Sequence, residues 1–163
     1  MLLVMATAMI VGSLCYGPLD RLFDTRKRIV VGAALANVAV LGVLALTPGP
    51  ALWQAVLLLA LRGFVGPYAV VVMAHGRSIF PERLVGRAIT VINTANFAGV
   101  AVMQMATGPI IGAFPGTDGT APEAAYRLVF ACLAATVLLA LAFYGRAADV
   151  RSSQGLPTRH DAA

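Results

Sequence analysis

Charge is scarce in this chain. Of its 163 residues, 12% are charged and 60% hydrophobic, where a soluble domain carries about 25% charged residues. That shortage excludes an ordinary water-solvated surface and puts the chain in the membrane class. Acids are scarcer than bases. All seven, Asp20, Asp24, Glu82, Asp118, Glu123, Asp149 and Asp161, lie between or beyond the long apolar runs. The two cysteines, Cys15 and Cys132, sit inside apolar stretches with no second Cys or His at metal spacing. They read as small packing residues. His75 and His160 are far apart. No Ser-His-Asp, Cys-His or paired-carboxylate arrangement occurs in the apolar runs, and no phosphate-binding glycine loop. Catalysis is not expected on this inventory, and neither is a metal or a cofactor. Lysine occurs once, at Lys27, and arginine fills the other basic positions, a bias that fits a GC-rich bacterial genome.

What the chain has is long apolar runs, over residues 1–16, 29–46, 51–73, 88–111 and 128–144. A helix rises about 1.5 Å per residue, so about 20 residues cross a hydrocarbon core. The expected fold class is all-α: an integral membrane bundle of five transmembrane helices over residues 1–145, with a disordered cytoplasmic tail over residues 146–163. The first run is short. It is not a secretory signal, because its positive charge follows the apolar run instead of preceding it.

The connections alternate in charge. Residues 17–28 carry Arg21, Arg26, Lys27 and Arg28; 47–50 carry no base; 74–87 carry Arg77, Arg83 and Arg87; 112–127 carry only Arg127; the tail carries Arg146, Arg151 and Arg159. Basic loops stay in the cytoplasm. The expected orientation is therefore amino terminus outside and carboxy terminus inside, in a bacterial plasma (inner) membrane. An outward amino terminus without a signal, followed by a short first span, gives the expectation that the natural protein extends upstream of Met1. The formal net charge of +5 does not point to nucleic acid, because the bases cluster between apolar runs and not along one face. Lipid is the expected surrounding.

Arg62 stands near the middle of the third run. A guanidinium keeps its proton there, so its charge must be met by something other than lipid. Three roles are open: a clamp on backbone carbonyls between helices, a contact to substrate, or a gate closed by an acid elsewhere in the intact protein. An unpaired Arg62 leans toward an anionic solute. Gly66 and Pro67 follow one turn later and are expected to kink the helix, as a packing bend or a hinge. Tyr68 adds a hydroxyl at the same level. In the fourth run Asn93 and Gln104 are about three turns apart on one face, with Asn96 about 60° round. Amides facing lipid leave donors unsatisfied, so this stripe is expected to face the bundle interior, as glue between helices or as a cavity wall. Gly99, Gly108 and Gly112 are expected to permit close helix approach, and Gly108-Pro109 to bend the outer end.

The first loop reads Gly17-Pro18-Leu19-Asp20-Arg21-Leu22-Phe23-Asp24-Thr25-Arg26-Lys27-Arg28. Gly and Pro suit a tight turn between two spans. The loop resembles the signature loop of the major facilitator superfamily, Gly-x-x-x-Asp-Arg-x-Gly-Arg-Arg. Asp20 and Arg21 match its Asp-Arg pair, and Arg26, Lys27 and Arg28 its basic cluster. The glycine is one place late, and Asp24-Thr25 stands where the family has a compact Gly. Arg62-Gly63-Phe64-Val65-Gly66 resembles an Arg-x-x-x-Gly segment of the family's fourth and tenth spans. Phe80-Pro81-Glu82-Arg83-Leu84-Val85-Gly86-Arg87-Ala88 is similar to the inner loop before the eleventh span. Tyr126-Arg127-Leu128-Val129-Phe130 looks like the start of a last span. The resemblance covers nearly the whole chain and implies spans eight to twelve of a bacterial transporter; spans two to six are the other alignment. It implies that Asp20, Arg21, Arg26, Lys27 and Arg28 form a cytoplasmic gate loop. It also implies that Arg62, Tyr68, Asn93, Asn96 and Gln104 line a cavity for a small solute. Transport would then need the missing amino-terminal half. The alternative is a membrane subunit without transport activity that binds other membrane helices through its small-residue faces.

Overall fold

The computed structural model describes residues 2–23, 26–114, 116 and 121–146. It is all-helical. Helix α1 spans Leu2–Phe23, α2 Arg26–Leu46, α3 Leu52–Val65, α4 Ala69–Ile79, α5 Glu82–Gly112 and α6 Glu123–Tyr144, with a single 3-10 turn, Gly66–Tyr68, joining α3 to α4. Four helical stretches are long and apolar enough to cross a membrane: Lys27–Leu46, Leu52–Arg77, Glu82–Gly112 and Glu123–Tyr144. The apolar part of α1, Leu2–Pro18, is shorter, so of the five expected spans four reach the length that a bilayer needs. Large apolar side chains cover the outside. Leu2, Leu46, Leu52, Phe97 and Met105 are each more than 70% exposed. In water such a surface would aggregate; against hydrocarbon it costs nothing.

The helices overrun the apolar runs, for a local reason. Phe80 is extended (φ −98°, ψ 143°), as a residue before proline must be, and Pro81 caps α5 in the same region (φ −62°, ψ 151°). Glu82 then opens α5, and Glu123 opens α6 after Pro122, each placing a carboxylate where the helix dipole favours it. The expected loops at 74–87 and 112–127 are correspondingly shorter. The tight turn expected around Gly17-Pro18 is not there: α1 continues through Pro18 to Phe23. Apolar character marks where lipid would end, and a helix can continue past that point in polar residues. Asp20 and Arg21 therefore belong to the last turns of α1 and not to a loop.

Helix α2 is the axis of the bundle. Val30, Ala34, Asn37, Leu41 and Leu44 are all buried, with Val40 beside them, an a/d-like stripe at alternating steps of four and three residues. Its main partner is α6, which runs antiparallel to it. Both ends of this pair are tied. Arg127 donates from Nε to the Ala45 carbonyl at 2.7 Å and from Nη2 to the Leu46 carbonyl at 3.5 Å, which caps the orphan acceptors at the end of α2. Beside it, the Gly49 N–H donates to Glu123 Oε1 at 2.7 Å. At the opposite end Lys27 Nζ donates to the Gly145 carbonyl at 2.8 Å.

A second tight pair is α1 with α3. A Cβ on Gly12 would lie 2.2 Å from the Phe64 carbonyl oxygen, and one on Gly63 would lie 2.7 Å from the Met5 carbonyl oxygen. The two backbones touch because neither glycine has a side chain. The close approach was expected instead at Gly99, Gly108 and Gly112. A Cβ at those positions meets nothing within 4 Å. They sit on α5, which packs chiefly on α4 and α6 and leaves most of its length uncovered. Small residues permit contact; only a neighbour makes it.

Candidate functional site

The break in the third span forms as Gly66-Pro67 predicts, and Pro67 itself is buried. Proline supplies no N–H, so one carbonyl of α3 loses its helical donor and the turn tightens. The end of α3 is also tied to α1. The Tyr16 hydroxyl donates to the Val65 carbonyl at 2.9 Å, in a buried bond. In contrast, α5 carries Pro109 without any change of helix type.

Beside this break lies a cavity of about 260 Å³. Its wall takes Asn37 from α2, Arg62 from α3, Gly66 and Tyr68 from the 3-10 turn, and Asn93 and Asn96 from α5. Asn37, Arg62 and Asn96 all fall near the middle of their helical stretches, so the cavity sits at mid-depth. Four of the five expected cavity residues, Arg62, Tyr68, Asn93 and Asn96, therefore share one space. Gln104 does not. It lies two turns along α5 in a separate, open groove of about 520 Å³ between α5 and α6, where Asn96, Met103, Thr107 and Leu133 also contribute. The amide stripe consequently faces inward only at its Asn93 end. Asn93 is half-buried, while Asn96 and Gln104 are exposed, because α5 meets few neighbours there.

Arg62 is half-buried. Its guanidinium folds along its own helix over Gly66: a Cβ at residue 66 would stand 2.7 Å from Arg62 Nη1. Glycine at 66 thus leaves room for the charged group, while its own backbone stays helical (φ −53°, ψ −37°). Among the described residues no hydrogen bond or ion pair engages that guanidinium, and no carboxylate lines the cavity.

Two residues in this region escaped the sequence reading. Asn37 is 2% exposed, and its Oδ1 is buried without a hydrogen-bond partner. A lone Asn within an apolar run is visible in sequence, but only packing shows that it faces the cavity. His75 is 1% exposed; its Nδ1 bonds to the Tyr144 hydroxyl, with the two rings edge-to-face at 5.6 Å. This polar pair joins α4 to α6 next to the cluster of Tyr16, Val30 and Val71.

For the expected gate loop, Lys27 binds the Gly145 carbonyl and Arg28 is exposed. The side chains of Asp20, Arg21 and Arg26 lie outside the described residues, as do Asp24, Thr25 and the tail from 147 onward. Among the described residues no group of three or more His, Cys, Asp and Glu side chains could hold a metal ion. Cys15 and Cys132 are free thiols, each half-buried. No protein-family model, no curated protein and no solved structure matches this chain.

Proposed function

We propose that this chain is the carboxy-terminal membrane part of a solute transporter resembling the major facilitator superfamily, and that it works only together with further spans. The observation that carries the reading is the polar cavity at mid-depth, built beside a broken helix. Irregular backbone within a membrane is tolerated where it lines a protein-walled or water-filled space, and broken helices at the midplane are where secondary transporters bind their cargo. The signature-like segments and the alternating loop charges add to it. In this reading the basic connections at 17–28 and 74–87 and the tail face the cytoplasm of a bacterial cell. Asp20, Arg21 and the basic residues after them contact the other half when the inner side is closed. Arg62, Tyr68, Asn93 and Asn96 contact the solute.

A test uses cysteine accessibility in membranes. Cys15 and Cys132 are first changed to Ala, and single cysteines are placed at Asn93, Asn96, Phe97 and Met105. A membrane-impermeant thiol reagent should label the first two and spare the last two, which lie on the exposed apolar face of α5. Equal protection of all four overturns a water-reached cavity. Reconstituted alone in liposomes, the chain should show no saturable uptake; robust uptake refutes the need for further spans.

The second reading, a subunit that binds other membrane helices, has one observation in its favour. Helix α5 exposes Val91, Phe97, Val100, Val102 and Met105 along its length. In a transporter that face meets lipid or the other half. In a subunit it would meet a separate protein.

A further inference from the structure

We infer that the elbow between α4 and α5 binds one anionic phospholipid, its acyl chain in an apolar groove and its phosphate on Arg83 and Arg87. The inference rests on the membrane character of the chain and not on transport, so the two stand or fall separately. At the elbow Phe80 and Pro81 are extended, which breaks the helix. Phe80, Leu84, Ala88, Val91 and Ile92 line a groove of about 250 Å³ together with Arg87. Ile92 reaches the α4 side, in the space that the missing side chain of Gly76 leaves. Phe80 and Val91 keep much of their apolar surface exposed.

Depth is the first argument. Helix α5 has 31 residues, about 46 Å at 1.5 Å each, and a hydrocarbon core is about 30 Å thick. Its three charged residues, Glu82, Arg83 and Arg87, all fall within its first six positions. That end therefore stands in the headgroup layer, and the groove, which runs from Phe80 to Ile92, leads from it into the hydrocarbon. Charge is the second. Arg83 and Arg87 are one turn apart on the same side of α5, and both are exposed. Like charges at this spacing repel. Among the described residues no hydrogen bond or ion pair engages either guanidinium. Glu82 does not answer them: five residues before Arg87, it lies about 140° round the helix. A phosphate between the two arginines removes the repulsion and accepts from their paired N–H donors.

Each half of the arrangement narrows the occupant. A free anion has no use for the groove. A neutral lipid leaves the two cations facing each other. A drug-sized solute needs a cavity of roughly 300–1,000 Å³, and this groove has room for part of one chain lying along it. An anionic phospholipid supplies both chain and phosphate at the depth where both are needed.

The full 163-residue chain, purified in a neutral detergent, is titrated by native mass spectrometry with phosphatidylglycerol, phosphatidylcholine and sn-glycerol 3-phosphate. Phosphatidylglycerol should bind tightest. Phosphatidylcholine should be weaker by about tenfold, because choline cancels the charge that the two arginines would meet. Glycerol phosphate, which has no chain, should not bind measurably. Arg83→Gln and Arg87→Gln should each weaken phosphatidylglycerol by about fivefold, and the double variant should bind the two lipids alike. Val91→Ser should weaken both lipids and leave their ratio unchanged. Arg146→Gln, which removes an exposed base at the end of α6, should change nothing. Arg83, Arg87 and Val91 are all exposed, so these variants should fold like the parent.

Equal binding of the two lipids by the parent chain overturns the inference, as does a preference that survives in the double variant. Glycerol phosphate binding as tightly as the lipid leaves a plain anion site and overturns it too. A loss with Arg146→Gln equal to that with Arg87→Gln reduces the site to diffuse charge and does the same.

Discussion

The contact between α1 and α3 makes a prediction with a sign that depends on position. Gly12→Ala adds one carbon to a spot 2.2 Å from the Phe64 carbonyl oxygen, 2.9 Å from the carbonyl carbon and 3.1 Å from its Cα. All three neighbours are backbone, so no side chain can swing away. Ordinary contact begins at 3.4 Å, and the two helices must part by roughly 1 Å. A gap of 0.5–1 Å forfeits about a quarter to a half of each dispersion contact across it, and forced overpacking costs about 1–3 kcal/mol in well-packed cores. The same substitution at Gly99 meets nothing within 4 Å. There the change removes a flexible residue from a helix interior, which favours folding by up to about 1 kcal/mol. The two variants should therefore move in opposite directions in an SDS-unfolding titration of the reconstituted protein, with Gly12→Ala unfolding at lower SDS and Gly99→Ala at the same or higher. Gly63→Ala, 2.7 Å from the Met5 carbonyl oxygen, should follow Gly12→Ala. If Gly12→Ala and Gly99→Ala unfold together, the backbone contact between α1 and α3 is not part of the fold.

Three further outcomes are expected. Tyr16→Phe removes the donor to the Val65 carbonyl beside the helix break; leaving that buried acceptor unpaired should cost about 1–3 kcal/mol, measured in the same titration, with Tyr144→Phe as a comparison for the bond to His75. Arg127→Ala uncaps the end of α2 and should lower stability by about 1–2 kcal/mol, while Arg127→Lys, lacking the second arm of the fork, should recover part of the loss. Gly66→Ala places a Cβ against Arg62 Nη1. It should displace the guanidinium and cost no more than about 1 kcal/mol of stability in the same titration, because the colliding group is the far end of a flexible chain.

The all-helical class and four of the five expected membrane-crossing runs were legible because lipid solvation writes itself into composition: long apolar runs separated by arginines have few other readings. The break at Gly66-Pro67 was legible for a local reason, the missing N–H. Helix ends were less so. Residues 17–23, 82–87 and 123–127 continue helices in polar sequence, and hydropathy reports the solvent and not the backbone. The cavity was half legible. Arg62 and Asn93 announce themselves as polar groups in apolar surroundings, and Asn96 follows by helical spacing. Gln104 satisfied the same spacing yet faces another groove, because two turns along α5 the neighbouring helix has changed. Asn37 and the helix contacts at Gly12 and Gly63 depend on which helices pair, and nothing local in a run of small and aliphatic residues states its partner.

The pairing of α2 with α6 has a consequence for biogenesis. Lys27 and Gly145, joined by a hydrogen bond, are 118 positions apart. At about 5–20 residues per second of synthesis, the second helix leaves the ribosome roughly 5–25 seconds before its cover exists. During that interval Asn37 and the stripe around it have no α6 to rest against, and the nascent chain needs a temporary host, such as an insertase groove or an earlier span. Slowing translation between the two helices should therefore raise turnover of the newborn protein without touching any contact in the finished one.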